Sequence, residues 1–134
     1  MQHQILLVED DPHDVELTTL ALERCQFAHT LKVTRDGIDA MALLEACAAD
    51  ALPAVILLDL KLPGMNGLEV LRRIRAAPHL QALPVVVLSA SAEPHDRDAA
   101  RELGAEDYIV KPMDWHVFNK TLCRVLKFSL PHRP

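Results

Sequence analysis

Apolar and polar positions follow one another along this chain in blocks that predict strands and helices in strict succession. Ile5-Leu6-Leu7-Val8, Val55-Ile56-Leu57-Leu58 and Val85-Val86-Val87-Leu88 are continuous apolar runs bounded by polar or turn residues. Short runs of this kind read as strands buried on both faces, as in a parallel sheet covered by helices on each side. Leu31-Lys32-Val33-Thr34 alternates instead, which predicts a strand nearer the sheet edge, and Tyr108-Ile109-Val110 predicts a last strand.

Helical spacing fills the intervals. Asp11 and Pro12 are an N-cap and a first helical residue, opening a helix to about Cys25 whose apolar face is Val15, Leu17, Leu20, Ala21 and Leu22. Asp36-Gly37 predicts a turn, after which Ala40, Met41, Leu43, Leu44 and Cys47 recur at helical spacing to about Ala49. A third helix runs from Gly67 to about Arg75, with Leu68, Leu71 and Ile74 inward and Arg72, Arg73 and Arg75 solvated. A fourth runs from about Pro94 to Leu103 and stops at Gly104, a good residue just past a helix end. Asp114 caps the last, whose Val117, Phe118, Leu122, Val125 and Leu126 lie on one face, and 129–134 carries no element of its own. Five strand–helix units call for one doubly wound parallel α/β sheet with right-handed crossovers and a single domain over 1–134.

Composition narrows the function classes. Half of the 134 residues are hydrophobic and the net charge is −5. No basic stripe offers itself to nucleic acid, so DNA binding is not expected. No apolar run approaches the ~20 residues of a membrane span, and the opening MQHQILLVED is too short in its apolar part for a secretory signal. A cytoplasmic protein is expected. Cys25, Cys47 and Cys123 form no CxxC pair, and free thiols in a reducing compartment are the expectation.

The chemistry lies in the residues just after each strand. The first strand delivers Glu9 and Asp10, the third Asp59, the fourth Ser89 and the fifth Lys111. Ligands of open α/β sheets gather at these carboxyl ends. Neighbouring carboxylates repel one another, which raises pKa values unless a cation neutralises them. Oxygen-only ligands favour a hard ion such as Mg²⁺, or Mn²⁺ in its place. Lys111 is a point charge suited to a phosphoryl group and Ser89 a donor to its oxygens. Asp59, alone on the central strand, is the candidate nucleophile, accepting a phosphoryl group as an acyl phosphate.

The stretches ILLVEDDP, VILLDLKLPGMNGLEVLRRIR, VVVLSAS and GAEDYIVKP together resemble the receiver domain of bacterial two-component response regulators, over nearly the whole chain from Gln4 to about Lys127. The resemblance implies a flavodoxin-like (βα)5 fold of strand order 2-1-3-4-5. It implies Asp59 as phosphoacceptor, with Glu9, Asp10, Asp59 and the backbone carbonyl of Lys61 around the metal. Ser89 and Tyr108 match the switch pair, Lys111 the site lysine, and Lys111-Pro112 a cis peptide. It further implies a sensor histidine kinase as partner and output through the face of helix 4, strand 5 and helix 5, as a homodimer or with another protein. The opening Glu-Asp-Asp-Pro, the long connection after the third helix and the absence of a further domain in this stretch are similar to stand-alone regulators paired with phytochrome-type kinases.

Three rivals share parts of this pattern. A flavodoxin-type cofactor binder has to cradle phosphate in the first strand–helix loop, where Glu9-Asp10-Asp11 repels it. A haloacid-dehalogenase-type phosphatase requires a second Asp two residues after the nucleophile, where this chain has Lys61. A constitutive dimeric scaffold is the remaining alternative; its usual mark, a lost site residue, is not seen.

Overall fold

A computed structural model describes residues 3–26, 29–111 and 114–129. These form β1 (His3–Val8), α1 (Pro12–Arg24), β2 (His29–Thr34), α2 (Gly37–Ala46), β3 (Val55–Leu58), α3 (Gly67–Ala76), β4 (Val85–Ser89), α4 (Pro94–Glu102), β5 (Asp107–Val110) and α5 (Trp115–Ser129). The five strands are parallel and ordered β2-β1-β3-β4-β5, as expected.

The continuous apolar runs are explained by two cores. Ile5, Leu7, Leu57, Val86 and Leu88 face α1 and α5, where they meet Ala21, Leu22, Phe118, Leu122 and Leu126. Leu6, Val8, Ile56, Leu58, Val85 and Val87 face α2, α3 and α4, meeting Met41, Leu44, Val70, Leu71 and Ile74. Every residue of β3 is fully buried. Burial of a side chain of this size contributes about 1.5–3 kcal/mol, far more than any single strand propensity. That burial sets β3 at the centre and carries Asp59 to its end.

Caps act where the sequence places them. Asp11 accepts the His13 N–H at 2.9 Å, Asp114 accepts the His116 N–H at 2.9 Å, and Gly104 takes a left-handed φ of 83° after α4. Several details differ from expectation. Asp36 is the N-cap of α2 rather than half of a free turn, accepting the Asp39 N–H at 2.7 Å. α2 ends at Ala46, because the chain must turn back through a short 3₁₀ segment (Ala49–Ala51) to bring Ala54 against β1. In α1, Thr18 is buried while Leu20 is 43% exposed; in α5, Val117 is 54% exposed and the chain stays helical through Ser129.

Two corrections concern side chains far apart in sequence. Cys25 and Cys123 are not free thiols but a disulfide joining the end of α1 to α5, with 5.4 Å between Cα atoms; Cys47 is free. The helices are brought side by side by the core that they share, and Asn119 reinforces the contact by donating to the Ala21 carbonyl at 3.0 Å. Arg75 is not simply solvated. Its guanidinium donates to the carbonyls of Gln81, Leu83 and Gly104 at 2.8–3.1 Å, tying the α3–β4 connection to the end of α4, while Arg72 and Arg73 pair with Glu69. No helix among the described residues is long and apolar enough to cross a membrane.

Candidate phosphoacceptor and metal site

The sheet's hydrogen-bond ladder continues past the strand ends and holds the site. Val8 and Leu58 are register partners, and the next residue, Asp59, donates its N–H to the Val8 carbonyl at 3.0 Å. Glu9 donates its N–H to Thr34 at 3.0 Å and Lys111 to Ser89 at 2.7 Å. The backbone therefore aims three strand ends at one place before any side chain is considered. Gly67, the first residue of α3, secures the loop after Asp59: its N–H donates to the Leu60 carbonyl at 2.9 Å. A Cβ at this glycine would run into the Asp59 carbonyl oxygen and lie 2.6 Å from Leu60 Cα. Only glycine lets α3 start this close to the end of β3.

Carboxylate oxygens of Glu9, Asp10 and Asp59 lie within 4.8 Å of one another. Glu9 and Asp59 are buried and Asp10 is exposed, so the cluster opens to solvent on the Asp10 side. The Lys111 ammonium reaches in from β5, bonding Glu9 and lying 3.3 Å from Asp59 Oδ2. Burial, the largest influence, pushes the Glu9 carboxyl up to about 7; the Lys111 hydrogen bond opposes this and neighbouring Asp59 adds to it. Lys111 is raised: burial is the largest influence and works against its charge, but the facing carboxylates together outweigh it. A buried carboxyl that resists ionising beside two further carboxylates is what a divalent cation relieves. The oxygen-only donor set fits a hard ion.

Lys61 is exposed, and its N–H donates to Asp59 Oδ1 at 3.3 Å. Ser89 is fully buried at the end of β4, with its hydroxyl oxygen accepting the Ser91 N–H at 3.1 Å. Tyr108 donates its hydroxyl to the Ser91 carbonyl at 2.8 Å, and the Arg97 guanidinium stacks 5.2 Å from its ring centroid. Ser91 thus links the two predicted switch residues through its own N–H and C=O. Pro112, half of the predicted cis peptide, lies outside the described residues.

Asp14, in the first turn of α1, is a further participant that no strand-end position signals. Its carboxylate lies 3.1 Å from Lys111 Nζ. Its place three residues after the Asp11 cap was the available signal, since that position projects from the helix start beside the strand ends.

The whole arrangement has close relatives. The chain is 41% identical over 126 residues to the transcriptional regulatory protein CseB of Streptomyces coelicolor, covering 94% of this chain and spanning 50% of CseB. It is 41% identical over 110 residues to response regulator Rcp1 of Synechocystis sp., covering 80% of this chain and 75% of Rcp1. A crystal structure of the Mn²⁺-bound form of Rcp1 superposes with a TM-score of 0.85 at 36% identity, over 98% of this chain and 97% of the other. That of the phosphorylated cyanobacterial phytochrome response regulator RcpA gives 0.87 at 35% identity, over 98% and 100%. Residues 5–122 match the family described as response regulator receiver domain. With Glu9, Asp10, Asp59 and Lys111 gathered at the strand ends of a 2-1-3-4-5 sheet, this chain belongs to the receiver domains of response regulators.

Proposed function

We propose that the chain, as one receiver domain over about residues 4–128, is a phosphorylation-driven switch whose acceptor is Asp59. The observation that carries this reading is the Lys111 ammonium 3.3 Å from Asp59 Oδ2, beside two further carboxylates at the strand ends. The donor is a phosphohistidine on a sensor histidine kinase. Likeness to RcpA favours a phytochrome-class kinase, and a cytoplasmic setting suits such a pair.

Mg²⁺, or another divalent cation such as Mn²⁺, would be held by Glu9, Asp10, Asp59 and the Lys61 carbonyl, and when bound would neutralise charge on these oxygens and on the phosphoryl group. An Asp59 carboxylate oxygen attacks phosphorus, the bond to the donor nitrogen breaks, and that nitrogen keeps the electron pair. Lys111 offers an N–H to a phosphoryl oxygen as the site gains about −1.5 to −2 of charge. The Ser89 hydroxyl turns to donate to a second oxygen and gives up its contact with the Ser91 N–H. Ser91 moves with it, the Tyr108 hydroxyl loses its acceptor, and the aromatic ring is free to change position. Phosphorylation shifts a population between two arrangements of the face formed by α4, β5 and α5. Output is protein–protein contact through that face, in the first instance a homodimer, to which exposed Val117 and Phe128 of α5 contribute apolar area. Its own phosphorylation and dephosphorylation are the only reactions that the domain catalyses.

The test is incubation with Mg²⁺ and acetyl phosphate, followed by intact mass. One phosphoryl group per chain is expected, and none for Asp59→Ala. Sedimentation with and without beryllofluoride and Mg²⁺ tests the output. Association indifferent to the phosphate mimic would favour the constitutive scaffold instead.

A further inference from the structure

We propose that Asp14 is a positioning residue for Lys111, holding one N–H of its ammonium at rest and yielding that N–H to the phosphoryl group on transfer. The inference rests on Asp59 being the acceptor.

A lysine ammonium has three N–H donors and no acceptor. Lys111 Nζ has three carboxylates around it: Glu9, Asp14 at 3.1 Å and Asp59 at 3.3 Å. Its side chain is 14% exposed, which leaves little room for water to take over a donor. Two N–H groups are hydrogen-bonded, to Glu9 and to Asp14, while Asp59 is held at ion-pair distance. An ammonium that gives more than one N–H to the phosphoryl group at Asp59 has to release one of those two bonds.

The three carboxylates differ in what release would cost. Glu9 is 1% exposed, and parting it from Lys111 leaves a buried carboxylate without its countercharge. Asp59 is the acceptor itself and becomes the phosphorylated group. Asp14 is 29% exposed on the first turn of α1, where water replaces the ammonium at small cost and the helix N-terminus favours its negative charge. Asp14 is therefore the partner that lets go. Until it does, it competes with the incoming phosphoryl group for Lys111 and adds negative charge facing an anionic donor.

Both effects act in the same direction, so neutralising Asp14 speeds transfer. Asp14→Asn keeps the shape and removes the charge; Asp14→Glu keeps the charge. With acetyl phosphate and Mg²⁺ at low ionic strength, Asp14→Asn is expected to phosphorylate about two- to five-fold faster than the natural chain, the range for one partly exposed charge. Asp14→Glu is expected to match the natural chain. The advantage of Asp14→Asn should shrink in 0.5 M salt, where exposed charges are screened over ~4–5 Å. A merely structural role for Asp14 would slow Asn and Glu variants alike and show no such salt dependence. Equal or slower transfer in Asp14→Asn, or a rate gain that persists unchanged in high salt, overturns the proposal. The two readings fail differently: if the natural chain takes up no phosphoryl group the acceptor assignment falls, whereas normal uptake with no gain in Asp14→Asn removes only the role given to Asp14.

Discussion

Reducing the Cys25–Cys123 bond should lower stability by several kcal/mol, on the order of what a long cross-linked loop contributes. The bond closes a loop of 98 residues, nearly three quarters of the chain. Chain-entropy reasoning for a loop of that length gives about 16 cal/mol/K, or close to 4.7 kcal/mol at 25 °C. This is a ceiling, because α1 and α5 retain their shared core, with Leu22, Phe118 and Leu122 packed, when the bond is open. Native disulfides generally contribute about 2–5 kcal/mol, and we expect a loss in that range. For a domain of this size each kcal/mol moves the melting midpoint by about 3–5 °C, so a drop of roughly 6–25 °C follows. The assay is thermal and urea unfolding of a Cys47→Ser background with and without a phosphine reductant. Alkylation and intact mass give the thiol count in each sample. Cys123→Ser in the same background should melt near the reduced protein and be insensitive to reductant. A loss under about 1 kcal/mol on verified reduction, or two alkylatable thiols in the oxidised Cys47→Ser protein, would refute the reasoning.

Other outcomes follow from the site and the core. Glu9, with its carboxyl raised from 4.5 to about 7, holds a proton in the folded chain that the unfolded chain has released. Stability without metal should therefore fall as pH rises between about 4.5 and 7, by at most about 3 kcal/mol. The raised Lys111 adds no slope there, since its contribution is fully present below its unfolded pKa. Urea midpoints at pH 5 and 7.5 in chelator, for the natural chain and Glu9→Gln, test this; an identical slope in both proteins refutes it. Gly67→Ala drives a methyl into the Asp59 carbonyl and should destabilise by about 1–3 kcal/mol while slowing phosphorylation, measured by unfolding and by acetyl phosphate uptake. The buried Thr34 hydroxyl is without a hydrogen-bond partner among the described residues, so Thr34→Val should stabilise by about 1 kcal/mol in the same unfolding assay.

The elements most legible in the chain are those whose burial is decided by one residue's own chemistry. Val55 to Leu58 is apolar on both sides of the pleat, so it had to be an interior strand, and Asp59 had to stand at its end. Asp11, Asp114 and Gly104 signal helix ends through local hydrogen bonds and a left-handed φ, interactions that span only a few residues. Leu20 and Val117 were misplaced for the complementary reason: both fit an apolar stripe, but the stripe is wider than the surface the sheet offers.

Local pattern along the chain is enough to set the alternation of elements, the residues that stand at the strand ends and the charge they bring there. Those follow from periodicity and from residue chemistry, which act over one strand or a turn or two of helix. Which distant groups meet depends instead on how the helices and strands pack. Cys25 finds Cys123 because two helices cover one face of the sheet, and Arg75 reaches Gly104 because α3 and α4 are neighbours on the other. Asp14 finds Lys111 because the start of α1 and the end of β5 open onto the same rim. Each of these contacts is set by how elements pack, a relation between positions that no local pattern encodes.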